Sequence, residues 1–406
     1  MPARRYYLGP GRPLSTLSTW QEIETAAAGG LLAERQWIEL KKDLGPAKEA
    51  VNIELARDLA ALSTDGGLLI FGIADNQEVV GCSPDALTSR ISAVASMAVT
   101  PALSPLIHDP IFNPAGTAAV VLVELPASPQ APHMADGRYW GRSAHGKRRL
   151  SDSEVRRLIY DHRDDEARFE SRLDKLVGSD PLRRYLSEPD RHGHLYILAE
   201  PCSPTFSRDR GNPFDLISRV RNLNNPSNWN FSSLTSCDRN ANDPGGEARL
   251  SLAVKVGSVI PEQEHNLTYV SVKDDDCIAV VSGGATATWE THSGVSITGV
   301  LHSLVALVTA QTMQLVRDIS LQDWGYLGQW RIGLHANNLR NLAANVQDFA
   351  FRPVEFADVD YTRTLVINPA TWTDDGEAAA HEILRGFFRG LGLQNWTLEQ
   401  IIRSRP

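Results

Sequence analysis

The chain has 406 residues, 42% of them hydrophobic and 22% charged, with a formal net charge of −9. That length exceeds one usual domain and that composition excludes a mainly disordered chain, so two cores are expected. The acidic balance excludes a uniformly basic coat but leaves room for a local cationic stripe, and four scattered cysteines, Cys82, Cys202, Cys237 and Cys277, exclude a zinc ribbon or disulfide scaffold and point to reduced thiols in a cytoplasm.

Residues 1–19 form a Pro/Gly tail without the apolar segment of a signal peptide. Thr19-Trp-Gln-Glu22 has capping-box spacing and opens a short helix that Gly29-Gly30 stops. In Trp37-Ile-Glu39-Leu-Lys41, apolar Ile38 and Leu40 alternate with Glu39 and Lys41, which predicts a strand with one apolar face and one face carrying a carboxylate beside an ammonium. Ile53, Ala56, Leu59 and Ala60 predict an amphipathic helix over 49–62. Gly66-Gly67 is a backbone turn feeding a buried strand over 68–74, with Asp75 at its exit. A helix over 84–98 and a strand over 118–125 follow, and 136–150 reads as a short strand leading into a basic loop. Ser151-Asp-Ser-Glu154 caps a helix to about Arg163.

A boundary is expected there, giving a lobe over 20–163, a charged helical connector over 164–186 and a second α+β unit over 187–406. That second unit should hold strands over 195–200, 248–256, 267–272, 278–281 and 364–367, and helices over 295–319, 339–349 and 377–391. The most apolar stretch, 295–310, includes His302, Ser303 and Thr309 and falls short of the roughly 20 residues of a membrane span, so a core helix and no membrane partner are expected.

Glu34, Glu39 and Asp75, with Lys41, would supply carboxylates and a cation at one sheet edge, the inventory of a metal-dependent phosphodiesterase. Read without that chemistry, the acids are solvated charges paired with Arg35 or Lys41, and Asp75 is a turn residue. Arg138, Arg142, Lys147, Arg148, Arg149, Arg156 and Arg157 concentrate positive charge, with phosphate contact as their functional reading and solvated surface as the alternative. Gly141-x4-Gly146-Lys147 lacks the Ser or Thr and the helix that a nucleotide-binding loop needs. His133, His145, His302 and His381 stand singly, without metal-ligand spacing.

The Glu34-x4-Glu39-x-Lys41 element, the Leu-Ile-Phe-Gly-Ile-Ala-Asp75 strand, Tyr139-Trp-Gly-Arg142-Ser143, Leu150-Ser-Asp-Ser-Glu154 and Arg163 together resemble the Schlafen AlbA-like domain over roughly 20–163. The resemblance implies an α+β fold and a divalent-metal-dependent endoribonuclease acting on tRNA or other structured RNA. Glu34, Glu39 and Asp75 would bind Mg²⁺ or Mn²⁺, Lys41 would assist, and Lys42, Arg142, Lys147, Arg148 and Arg149 would hold the nucleic acid. It also implies a single-lobe form that dimerises through the N-terminal domain, with an antiphage role and a C-terminal sensor of unassigned ligand as further analogy. The rival reading within the same resemblance is a non-catalytic DNA- or RNA-binding regulator, and a degenerate interaction scaffold is a third.

Overall fold

In this computed structural model, the described residues are 5, 6, 8, 15–143, 146–202, 215–227, 232–243, 245–290, 295–324, 326, 328–345, 354–369, 372, 374 and 376–404, with backbone alone for 5 and 161–165. His145 and most of the tail therefore lie outside them, as does the side chain of Arg163. The protein is α+β, with a different sheet in each half.

A short pair, β1 (Arg5–Tyr6) and β2 (Ser15–Thr16), precedes helix α1 (Trp20–Ala28). The expected capping box is present: the Thr19 hydroxyl accepts from the Glu22 amide, and the Glu22 carboxylate accepts from the Thr19 amide. β3 (Ile38–Lys41), α2 (Glu49–Leu62) and β4 (Gly67–Phe71) make a βαβ unit with the strands parallel. The turn before β4 requires glycine, since a Cβ on Gly67 would come within 2.7 Å of the Trp37 carbonyl oxygen. α3 (Leu87–Met97), β5 (Val99–Thr100), β6 (Leu106–Ile107) and β7 (Ile111–Phe112) lead to β8 (Ala119–Leu125), which runs antiparallel to β4. Ile38, Leu40, Leu68, Ile70, Val120 and Leu122 face α1, while Leu69, Phe71, Val121 and Val123 face Leu55, Leu59 and Leu62 of α2. This period-2 division buries both faces of the sheet.

The far side of α2 packs on a second sheet of order β11-β10-β9-β5, built from β9 (Met134–Ala135), β10 (Arg138–Ser143) and β11 (Gly146–Arg149). The expected basic loop is thus a strand: Lys147–Arg149 pair antiparallel with Trp140–Arg142. The helix after Ser151, α4 (Asp152–Ser179), runs well past Arg163 to 28 residues. Its Phe169 and Leu173 bury against Leu198 and Ala279 of the second half, and this apolar anchorage carries it through the charged stretch.

There, a seven-stranded antiparallel sheet has the order β13-β14-β15-β16-β12-β19-β20. Its members are β12 (Leu195–Pro201), β13 (Arg239–Asn240), β14 (Gly246–Leu250), β15 (Thr268–Lys273), β16 (Ile278–Ser282), β19 (Trp330–Ala336) and β20 (Tyr361–Ile367). A hairpin of β17 (Thr286–Glu290) and β18 (Ser296–Val300) stands apart from it. Helices α5 (Leu216–Arg221), α6 (His302–Asp318), α7 (Glu377–Gly390) and α8 (Leu398–Arg403) join the core on one face. The expected single helix over 295–319 is strand β18 followed by α6, and 339–345 form turns and isolated bridges rather than the start of a helix. Among the described residues, no helix is long and apolar enough to cross a membrane.

Candidate functional site

Three elements deliver charge to one place. The alternation in β3 sends Glu39 and Lys41 to the α2 side of the sheet, and α2 brings Asp58 and Glu54, four residues apart on one face. The β10–β11 hairpin sets Arg142 directly opposite Lys147. Glu39 takes Lys41 Nζ on one carboxylate oxygen at 2.9 Å and Arg142 on the other at 2.6 Å. Arg142 also donates to the carbonyls of Arg35 at 2.8 Å and Ile38 at 3.0 Å, tying the hairpin to the first strand. Lys41 Nζ lies 3.0 Å from Asp58 Oδ2, an ion pair off hydrogen-bonding alignment, while Lys147 bridges Asp58 Oδ1 and Glu54, the latter at 2.5 Å.

Glu39 is 8% exposed, Arg142 6% and Asp58 0%, so this is an interior network. Burial opposes the charge on Glu39, but Lys41 and Arg142 outweigh it and hold the carboxyl below its usual range. Burial likewise opposes the Lys41 ammonium, and Asp58 and Glu39 more than offset it, raising its pKa. For Asp58, desolvation is the largest influence and pushes the pKa up, with Lys41 and Lys147 pulling the other way.

The three acids of the expected metal triad lie apart, each in its own setting. Glu34 is exposed and its carboxylate accepts the Leu40 amide at 2.9 Å, tying down the start of β3. Glu39 has both oxygens engaged by cations, and Asp75 is exposed in the turn after β4. Among the described residues, no group of three His, Cys, Asp or Glu side chains is arranged to hold a metal ion. The side chains therefore do not fit Mg²⁺ or Mn²⁺ shared by Glu34, Glu39 and Asp75, and Lys41 is held by Glu39 and Asp58.

The cations expected to grip nucleic acid divide in two. Arg142 and Lys147 are locked in the network, and Arg148 is paired with the capping residue Glu154 at 2.6 Å. Lys42, Arg138 and Arg149 are exposed, with no ion-pair partner among the described residues. Arg149 sits over the Trp140 ring, opposite it in register, and Arg138 precedes Trp140 by two on the same strand face. Exposed Tyr139 lies between them in sequence.

Asp58 escaped the sequence reading although its signal was there: a carboxylate among Leu55, Leu59 and Leu62 on the buried side of a helix needs a partner. In the second half, the unnoticed pair His192-Gly-His194 begins a buried chain. His192 meets Glu264 at 2.9 Å and Thr288 at 3.0 Å, and His194 bridges Glu264 at 2.6 Å and Asp180 at 2.8 Å.

These residues define an α+β lobe with a largely buried acid–base network beneath a hairpin that carries exposed arginines around Asp136. Residues 34–151 match the family model described as Schlafen, AlbA_2, so the N-terminal lobe belongs to that family, whose context is nucleic acid. Comparison with curated proteins yields no match. Among solved structures, the DIP2311 protein from Corynebacterium diphtheriae is similar over 33% of this chain and 28% of its own, at 20% identity and a TM-score of 0.23. The chain thus spans under a third of that protein's length, a likeness too partial to bear on function.

Proposed function

We propose that this chain is a nucleic-acid-binding protein whose N-terminal lobe grips the phosphate backbone of structured RNA, tRNA included, with DNA as the alternative polymer. The observation that carries the reading is the pair Arg138 and Arg149, exposed beside Trp140 and in no direct ion pair among the described residues, with the nearby Asp136 held by Arg57, together with Lys42. Such arginines suit phosphate contact, whereas the locked Arg142 and Lys147 maintain the shape of the hairpin. Two copies meeting through this lobe would double the cationic surface, and the C-terminal lobe would serve as a sensing module.

Fluorescence anisotropy of labelled tRNA against salt concentration tests this. Arg149→Ala and Arg138→Ala should each flatten the slope of log affinity against log salt by roughly 1. A slope unchanged in both variants removes the hairpin from the interface. The same tRNA incubated with Mn²⁺ addresses the endoribonuclease reading. Cleavage abolished both by chelator and by Glu39→Gln would reinstate it, and would mean that Glu39 leaves Arg142 when metal binds; binding without cleavage supports the regulator.

A further inference from the structure

The C-terminal end of α4, the turn after it and the end of β15 surround a cavity of about 610 Å³, within the range of small-molecule sites. Leu176, Pro181, Pro189 and Tyr269 give it apolar walls. Most of its charges cancel. Arg183 holds Asp190 through two hydrogen bonds of 2.9 and 3.0 Å, and Lys273 holds Asp243 at 2.6 Å. Asp180 accepts from the Leu182 amide at 2.9 Å and meets His194 at 2.8 Å.

Burial opposes a charge on His194, but hydrogen bonds to Asp180 and Glu264 raise its pKa to about 9, so at neutral pH an imidazolium neutralises Asp180 from beneath. Arg184 is the exception. It stacks 4.7 Å from the Tyr185 ring centroid and donates to two neutral oxygens, the Tyr185 hydroxyl at 2.5 Å and the Asn242 carbonyl at 3.3 Å. No carboxylate pairs with it among the described residues.

One guanidinium without a carboxylate partner among the described residues, fixed in orientation by an aromatic ring at the edge of an open cleft of mixed polar and apolar lining, suits an anion that also carries an apolar body. A guanidinium fork fits phosphate or carboxylate oxygens through paired hydrogen bonds. The room beyond it is excessive for a bare phosphate, and half-exposed Leu176, Pro181 and Pro189 offer apolar surface for a ring. We propose that this cavity binds a nucleoside 5′-monophosphate, with the phosphate on Arg184 and the base between the apolar walls. The floor residue Asp180 heads the buried chain through His194, Glu264 and His192 to Thr288 on β17, which fixes the floor in place.

Isothermal titration of the full chain with AMP, GMP, CMP and UMP, and with inorganic phosphate, tests the assignment. At least one nucleotide should bind with a Kd below about 100 μM, and phosphate at least about tenfold more weakly. Arg184→Gln should weaken the nucleotide at least about tenfold, and Ser179→Trp should obstruct the slot to a similar degree. Both positions are exposed, so unchanged thermal midpoints are expected and would confirm that the variants are folded. The proposal is overturned if none of the four nucleotides binds at millimolar concentration, if phosphate alone binds as tightly, or if both variants bind like the unaltered chain, which would move the site elsewhere.

Discussion

Glu39 keeps a negative charge where water scarcely reaches because Lys41 and Arg142 each hold one of its oxygens. Removing one partner from such a pair leaves the other desolvated and uncompensated, which costs more than the pair itself contributes. Glu39→Ala is expected to destabilise the N-terminal lobe by about 3 kcal/mol in urea denaturation, and Arg142→Ala by a similar amount. Loss of any activity in Glu39→Ala therefore has to be read beside its stability, and Glu39→Gln, which keeps the shape, is the cleaner probe. The alternation that placed Glu39 and Lys41 on one strand face was legible in five residues. Its neighbours were not: Arg142 lies 103 positions away and Asp58 sits on a helix, and no local periodicity reports a contact that only the packed lobe creates. The spacing that suggests a metal ligand at Glu39 suits equally an arginine arriving on another strand, and Arg142 is the group that meets it here.

Among the elements, those with a clear period and a cap were read almost to the residue. α2 fills the predicted span 49–62, and α1 and α4 start at the expected capping boxes. Ser151→Ala should cost about 1 kcal/mol by removing the hydroxyl that accepts from the Glu154 amide. The helical connector expected over 164–186 is the second part of α4, which continues unbroken from Asp152 to Ser179; Phe169, Leu173, Leu176 and Val177 give the charged run one apolar stripe, and the sheet beneath it holds the helix. A Cβ on Gly333 of β19 would come within 2.8 Å of the Phe169 ring, so helix and strand approach closely. Phe169→Ala is expected to lower stability by about 3–5 kcal/mol, measured as a shifted denaturation midpoint of the C-terminal lobe. β19 itself went unread: Trp330-Arg-Ile-Gly-Leu-His-Ala has alternation, but Arg331 and Gly333 disguise a central strand whose arginine is answered by Glu200 at 3.2 Å.

Across the whole molecule, two buried histidines set opposite limits on stability. His194 has its pKa raised to about 9, so its contribution is complete below about 6.5 and is lost as pH climbs through 9. His302 is depressed to about 4, chiefly by burial, so its contribution is present above about 6.5 and is lost as pH falls towards 4. Each amounts to about 3 kcal/mol at its limit. Thermal unfolding across pH 4–9 should give a maximum near pH 6.5, and His194→Gln should abolish the decline on the alkaline side.

The long helix α4 begins three residues after Arg149 on the basic hairpin and ends in the wall of the cavity. At 28 residues it is roughly 42 Å of stiff rod. Phe169 and Leu173 clamp it to the second sheet, so a pivot of about five degrees there would swing the tip at Asp152, roughly 26 Å away, by about 2 Å. Were the proposed small-molecule site at one extremity occupied, a tilt of the helix would be carried to Arg149 and the hairpin at the other, with the helix serving as a mechanical boom.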